Sequence, residues 1–257
     1  MQPLNQFLAG KLLVSILASS LLLTQTALAE YKPDPEQPPP KSGTTQAPRG
    51  PKLLPLILLA PRTHVGTTDS LRPTFAWFIR DRQPHSLLFT LWELNPEDPK
   101  GEPKQKIHQE TLTNSPGIMT FSFPENKPGL TLGRTYLWEV KIMSNSNPSR
   151  AIVDSSAEIE IVKIPENLSS TLARTQDIKQ RANLYAEAGI WYTAISEALK
   201  VAPQQKLGEI AASLVEDLAD IDKPKPENKC QDTRQTPQEQ QMCAWSQNLR
   251  EISLNQK

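Results

Sequence analysis

From Leu53 onward, apolar and polar residues alternate in short runs. TFAWFI (74–79) puts Phe75, Trp77 and Ile79 on one side of an extended segment. SLLFTLWEL (86–94) puts Leu87, Phe89 and Leu91 on one side and Leu88, Thr90 and Trp92 on the other. RTYLWEVKI (134–142) interleaves Tyr136, Trp138, Val140 and Ile142 with polar residues, and AEIEIVKI (157–164) continues the pattern through Ile159 and Ile161. A period of two marks strands with one buried face. LLPLILLA (53–60), IHQETL (107–112) and IMTFSF (118–123) complete a set of seven, with turn residues such as Ser115-Pro116-Gly117 and Gly129 to Gly133 between them. Their number and spacing predict a small antiparallel β-sandwich over 53–164.

After Pro165 the period lengthens. Leu172, Ile178, Ala182, Leu184, Tyr185 and Ala188 predict a helix over 168–188. Gly189 is the expected hairpin turn, and Ile190, Trp191, Ala194, Ile195, Ala198 and Leu199 predict a second helix over 190–202, stopped by Pro203. Leu207, Ile210, Ala211, Leu214, Val215 and Leu218 form the stripe of a third helix, 204–220. The helical region therefore spans 165–221. A polar loop (222–236) and a short helix carrying Met242, Trp245, Leu249 and Ile252 fill 222–257. Trp191 and Tyr192 are adjacent on the second helix and point about 100° apart. One of them is expected to serve the hairpin, leaving the other free to reach the sandwich or a partner.

The segments ahead of the sandwich read differently. Lys11, an apolar run from Leu12 to Leu23, and Ala27-Leu28-Ala29 follow the order of a secretory signal, predicting export and cleavage after Ala29. Twelve apolar residues rise about 18 Å as a helix, too short for a bilayer core of about 30 Å, so no stable membrane anchor is expected once the signal is cleaved. Residues 30–52 hold seven prolines and almost nothing apolar, which predicts an extended, disordered linker.

Charge and candidate chemistry alter this picture little. The chain of 257 residues has 28 basic and 28 acidic residues, so no excess of charge points to nucleic acid. The cysteines are Cys230 and Cys243; in an oxidising compartment they are expected to pair as a disulfide, two being too few for a metal site. His64, His85 and His108 are isolated, and no nucleophile elbow, paired-histidine zinc motif or glycine-rich phosphate loop occurs. No catalytic residue, cofactor or metal is expected, and the enzyme reading is the weakest of three. Trp77 and Trp138 sit in phase with core residues. Trp92 shares its face with Thr90 and is the candidate exposed aromatic.

Several stretches carry resemblances. "RPTFAWFI" and "RTYLWEVKI" resemble the second and penultimate strands of immunoglobulin-like or fibronectin type III-like domains, and the glycine hairpin resembles a tetratricopeptide repeat. Taken in order, "PTFAWFI", "SPGIMTFSFP", "LGRTYLWEVKI" and "LYAEAGIWYTAI" resemble the family called domain of unknown function 928, exported proteins of cyanobacteria, over roughly residues 53–220. At 143–158 the chain reads MSNSNPSRAIVDSSAE. It lacks the hydrophobic run with a glycine-tryptophan pair that the resemblance implies, so the resemblance does not carry an edge strand near 150–155. The family has no assigned activity and supplies no catalytic residue. The expectation is a non-catalytic interaction module of the cell envelope, periplasmic or extracellular, whose partner is an envelope protein; the alternative partner is an envelope glycan.

Overall fold

The computed structural model describes residues 30–42, 55–98, 100–232 and 234–257; the expected signal segment 1–29 lies outside them. Alternation becomes strand wherever it was read. The strands are β1 (Leu56–Leu58), β2 (Gly66–Thr68), β3 (Thr74–Ile79), β4 (Ser86–Leu94), β5 (Pro103–Thr113), β6 (Gly117–Ser122), β7 (Thr135–Met143) and β8 (Ala151–Ile161). They form two open sheets, one of three strands in the order β1-β3-β6 and one of five in the order β2-β8-β7-β4-β5. The aromatic side of each sheet faces the other. Phe75 of β3 lies 5.1 Å, ring to ring, from both Phe89 of β4 and Trp138 of β7, and Phe89 lies 4.4 Å from Phe121 of β6. Tilted pairs at these separations gain from ring quadrupoles as well as from burial.

The protein is thus mixed α/β, its helices being α1 (Glu166–Arg174), α2 (Ile178–Glu187), α3 (Trp191–Leu199), α4 (Gly208–Ile221) and α5 (Pro237–Asn255). Four features differ from the sequence expectations. The helix expected over 168–188 is broken at 175–177, where Asp177 caps α2 by accepting from the Gln180 N–H at 2.7 Å. The five-stranded sheet is not wholly antiparallel, because the short β2 pairs parallel with β8. β8 begins at Ala151, so a strand does run through 151–155; Met143 pairs with Ala151 beyond a register shift at Ile142. Lastly, residues 30–42 of the expected linker are packed. Tyr31 is 2% exposed, Val65 N–H donates to Pro38 O, and Ser42 donates through N–H and Oγ to Glu158. One buried aromatic and a few backbone bonds outweigh the prolines' preference for a solvated chain.

The N-terminal strap (30–42) and α5 both dock onto the junction between helices and sheets. Arg80 at the end of β3 grips Glu251 of α5 in a two-pronged ion pair at 2.6 and 2.8 Å. Cys230, in a short 3₁₀ segment, is disulfide-bonded to Cys243 on α5. No helix among the described residues is long and apolar enough to cross a membrane.

Candidate functional site

The junction is organised by β2, whose sequence Gly66-Thr67-Thr68 runs on into Asp69. Gly66 has no side chain because Tyr192 occupies the space; a Cβ there would stand 2.6 Å from the Tyr192 ring. The Thr67 hydroxyl donates to Gly189 O at 3.0 Å, and the Thr68 hydroxyl meets that of Thr193 at 2.9 Å. Asp69 accepts from Thr193 at 2.7 Å and from the Tyr185 hydroxyl at 3.1 Å. Burial, and the Asp69 carboxylate beside it, push the Tyr185 hydroxyl up to about 12, so it remains a donor. The three residues of an edge strand and the aspartate that follows them thus grip α2, the Gly189 turn and α3.

Gly189 is the hairpin turn. Its φ of +76° is left-handed backbone that favours glycine, and a Cβ would lie 2.8 Å from Lys32 O of the strap. Neither candidate aromatic on α3 is free. Trp191 is fully buried, donating from Nε1 to Leu59 O at 2.9 Å, with its ring edge-on to Tyr31. Tyr192 is 1% exposed; its hydroxyl accepts from Trp138 Nε1 at 2.8 Å and donates to Glu158 O at 2.9 Å. The 100° between them does not liberate either side chain, because α3 has sheet on one side and helices on others. Trp191 and Tyr192 therefore serve as internal joints: of the two destinations expected for the spare aromatic, Tyr192 takes the sheets, and neither ring is left exposed to a partner.

A chain of hydrogen bonds that the sequence did not disclose crosses the same junction. Tyr31 OH lies 2.7 Å from His64 Nε2, His64 Nδ1 lies 3.1 Å from Thr63 Oγ1, and Thr63 Oγ1 donates to Asp222 Oδ1 at 2.8 Å. A carboxylate only accepts, so the Thr63 hydrogen goes to Asp222. The Thr63 oxygen then takes the Nδ1 hydrogen of His64, leaving Nε2 to accept from Tyr31. Asp222 is wholly buried and also accepts from the Arg62 and Thr63 N–H groups and from Trp245 Nε1 of α5. Burial pushes its carboxyl above the usual range. The Arg62 guanidinium lies 3.8 Å over the Trp245 ring, and burial brings it down to about 10 against the pull of Asp222. Burial likewise holds His64 down at about 4, so the imidazole is neutral at pH 7.

Tyrosine, histidine, threonine and aspartate in series have the makings of a proton relay. Each member here is spent on the next, and Tyr31, far above its ordinary range through burial first and Asp222 second, holds its proton. A cleft of about 230 Å³ borders His64 and is lined by Asp34, Gln37, Thr67, Lys163 and Gly189 among others. The imidazole nitrogens are already engaged by Tyr31 and Thr63, so the arrangement ties three segments together without presenting a nucleophile or base to that cleft. Among the described residues, no group of three histidine, cysteine or acidic side chains is placed to hold a metal.

Trp92 has a different setting. It sits half-buried on the outer face of the five-stranded sheet, paired across strands with Leu137 and with Lys106, whose Nζ is 5.3 Å from the ring centroid. Beside it runs β5, eleven residues long at the sheet margin, its pairing partner being β4. Asn114 N–H donates to His85 O, so by antiparallel alternation Thr111 turns its N–H away from β4.

No curated protein matches this chain. The family described as Domain of Unknown Function (DUF928) matches residues 42–222, which hold both sheets, α1 to α4 and the GTTD grip but not Tyr31 or Trp245. By that match the chain belongs to the DUF928 family.

Proposed function

We propose that the protein is an exported, non-catalytic interaction module of the cell envelope, periplasmic or extracellular, and that its contact surface is the outer face and the β5 margin of the five-stranded sheet, which no other strand among the described residues pairs. The disulfide and the absence of a membrane-crossing helix among the described residues fit this setting. The strand order supports reading the two sheets as an immunoglobulin-like sandwich, a frame whose margins and end loops commonly carry contacts. The α2–α3 hairpin is compatible with a tetratricopeptide-like unit, but its aromatics are spent on the sheets, which favours the sheet as the contact surface. The observation that carries the reading is β5, a long strand with outward backbone groups beside the half-buried Trp92. Such a margin accepts a partner strand through main-chain hydrogen bonds.

A second reading is glycan binding. A half-buried tryptophan ring is a stacking surface for a sugar face as well as for a protein side chain. Residues 30–257 incubated with envelope protein extract and with isolated envelope polysaccharide separate the two. Retention from the protein extract that Thr111→Pro abolishes supports strand addition, since proline removes an outward N–H while leaving the ladder to β4 intact. Retention on polysaccharide that disappears in Trp92→Ala establishes the glycan reading instead.

A further inference from the structure

Tyr31 occupies a socket built from four elements. Its ring is edge-on to Trp191 at 4.8 Å, its hydroxyl meets His64, and the next residue's N–H donates to Ala186 O at 3.1 Å. Its own N–H donates to Asp217 Oδ2 of α4 at 2.9 Å. Successive backbone nitrogens are about 3–4 Å apart, so the nitrogen of Glu30 lies within about 7 Å of the Asp217 carboxylate.

We propose that this socket is a binding site for the chain's own processed N-terminus, with Asp217 pairing to the α-ammonium of Glu30. The proposal rests on the export reading, in which a peptidase cleaves after Ala29. Hydrolysis adds one water across the Ala29–Glu30 bond, leaving a carboxylate on Ala29 and an amine on Glu30. An α-amine has an ordinary pKa of about 7.7–8.0 and is mostly protonated at neutral pH.

Three independent features make Asp217 a carboxylate in want of a cation. It sits in the last turn and a half of α4, near the negative end of the helix dipole. Burial raises its pKa first, and the charges of Glu30 and Glu216, both acidic, raise it further. Lys32, the nearest strap lysine in sequence, directs its ammonium to Glu30 at 3.8 Å. An uncut chain offers a neutral amide at residue 30, whereas the cut chain places a positive charge there by covalent geometry. Processing thereby adds an ion pair to a strap already positioned by Tyr31, and the seating of the strap becomes linked to maturation.

Four proteins test this. Residues 30–257 are prepared with Glu30 as a free terminus and with a Gly-Ser extension, each with Asp217 and with Asp217→Asn. The free terminus is expected to raise Tm by about 2–4 °C over the extended protein when Asp217 is present. In the Asp217→Asn pair, which keeps an acceptor for the Tyr31 N–H, the gap is expected to vanish. Equal Tm values with Asp217 present, or a gap that survives Asp217→Asn, overturn the proposal. Should Asp217→Asn fail to fold, α-acetylation of the free-terminus protein replaces it, with the same 2–4 °C loss expected and no loss overturning the site. Separately, N-terminal sequencing of the protein from its native compartment tests the export reading. A start other than Glu30 refutes cleavage after Ala29 and with it the link to maturation, while the four-protein comparison still judges the socket.

Discussion

Around Trp191 and Tyr192 the polar atoms of both aromatics have partners inside the protein, while Trp92, in the apolar strand β4, stands half-buried beneath Lys106 on an outer sheet face. Composition does not distinguish the two regions; the surroundings of each ring do. An indole N–H or phenol hydroxyl that finds a backbone carbonyl in the interior turns a large side chain into a rigid strut. A half-buried ring with a lysine ammonium over one face has apolar surface still to cover. The difference predicts that substitutions at the helix–sheet junction act on folding and that those around Trp92 act on association.

Gly189→Val is the most severe way to probe the junction. It forces a β-branched residue into left-handed backbone and drives its Cβ against Lys32 O. We expect a loss of more than about 3 kcal/mol, read as a fall in Tm on the order of 10 °C. Unchanged thermal unfolding would show that the hairpin does not turn there.

Acid comes next. The ordinary histidine value is about 6.5, and that of folded His64 is about 4. Between those values the unfolded chain binds the proton and the folded protein does not, so the His64 contribution is intact above about pH 6.5 and is lost as pH falls toward 4. The full difference is on the order of 3 kcal/mol. Asp222 and Asp217, raised by burial, pull in the opposite direction, so the comparison is made against His64→Gln, whose amide oxygen can still accept from Tyr31. Urea midpoints from pH 7 to pH 4 should fall less in that variant. Parallel curves would mean that His64 titrates normally and that the chain from Tyr31 to Asp222 is open to water.

Tyr192→Phe is milder. It leaves Trp138 N–H unpaired in the interior and takes one donor from Glu158 C=O, at an expected cost of about 2 kcal/mol by denaturant titration. A neutral result would mean that water reaches the joint. Trp92→Ala should change stability least, by less than about 1 kcal/mol, while removing partner retention. A large loss of stability there would erase the contrast and make Trp92 another strut.

Much of the sheet core was legible because Phe75, Phe89 and Trp138 recur in register, and burial of one face imposes that period on any strand. The Gly189 turn was legible for a similar reason, since few residues other than glycine suit it. β2 was not. Three small or polar residues carry no alternation, and Gly66 is informative only once Tyr192 is seen in the space beside it. The row Gly66-Thr67-Thr68-Asp69 was the available hint: hydroxyls and an acid bunched between apolar segments. The strap was hidden by averaging, because seven prolines outvoted one tyrosine. The Tyr31–His64–Thr63–Asp222 chain joins positions up to 191 apart in sequence, and no local window reports such a link. The joint burial of Trp191 and Tyr192 escaped because helical periodicity describes one face at a time, whereas α3 is enclosed on several.

The family match stops at Asp222, and the tie running from Tyr31 to Trp245 passes through that residue from outside the match at both ends. The matched segment and the packed unit are therefore different lengths of chain. Cut at the match boundaries, the segment would keep Asp222 and Trp191 while losing the residues that shield them from solvent. A protein trimmed to the matched residues is therefore expected to unfold more readily, for a reason unrelated to what the family does. Related chains should be trimmed by asking which flanking aromatic closes the buried carboxylate, wherever in the flank it occurs.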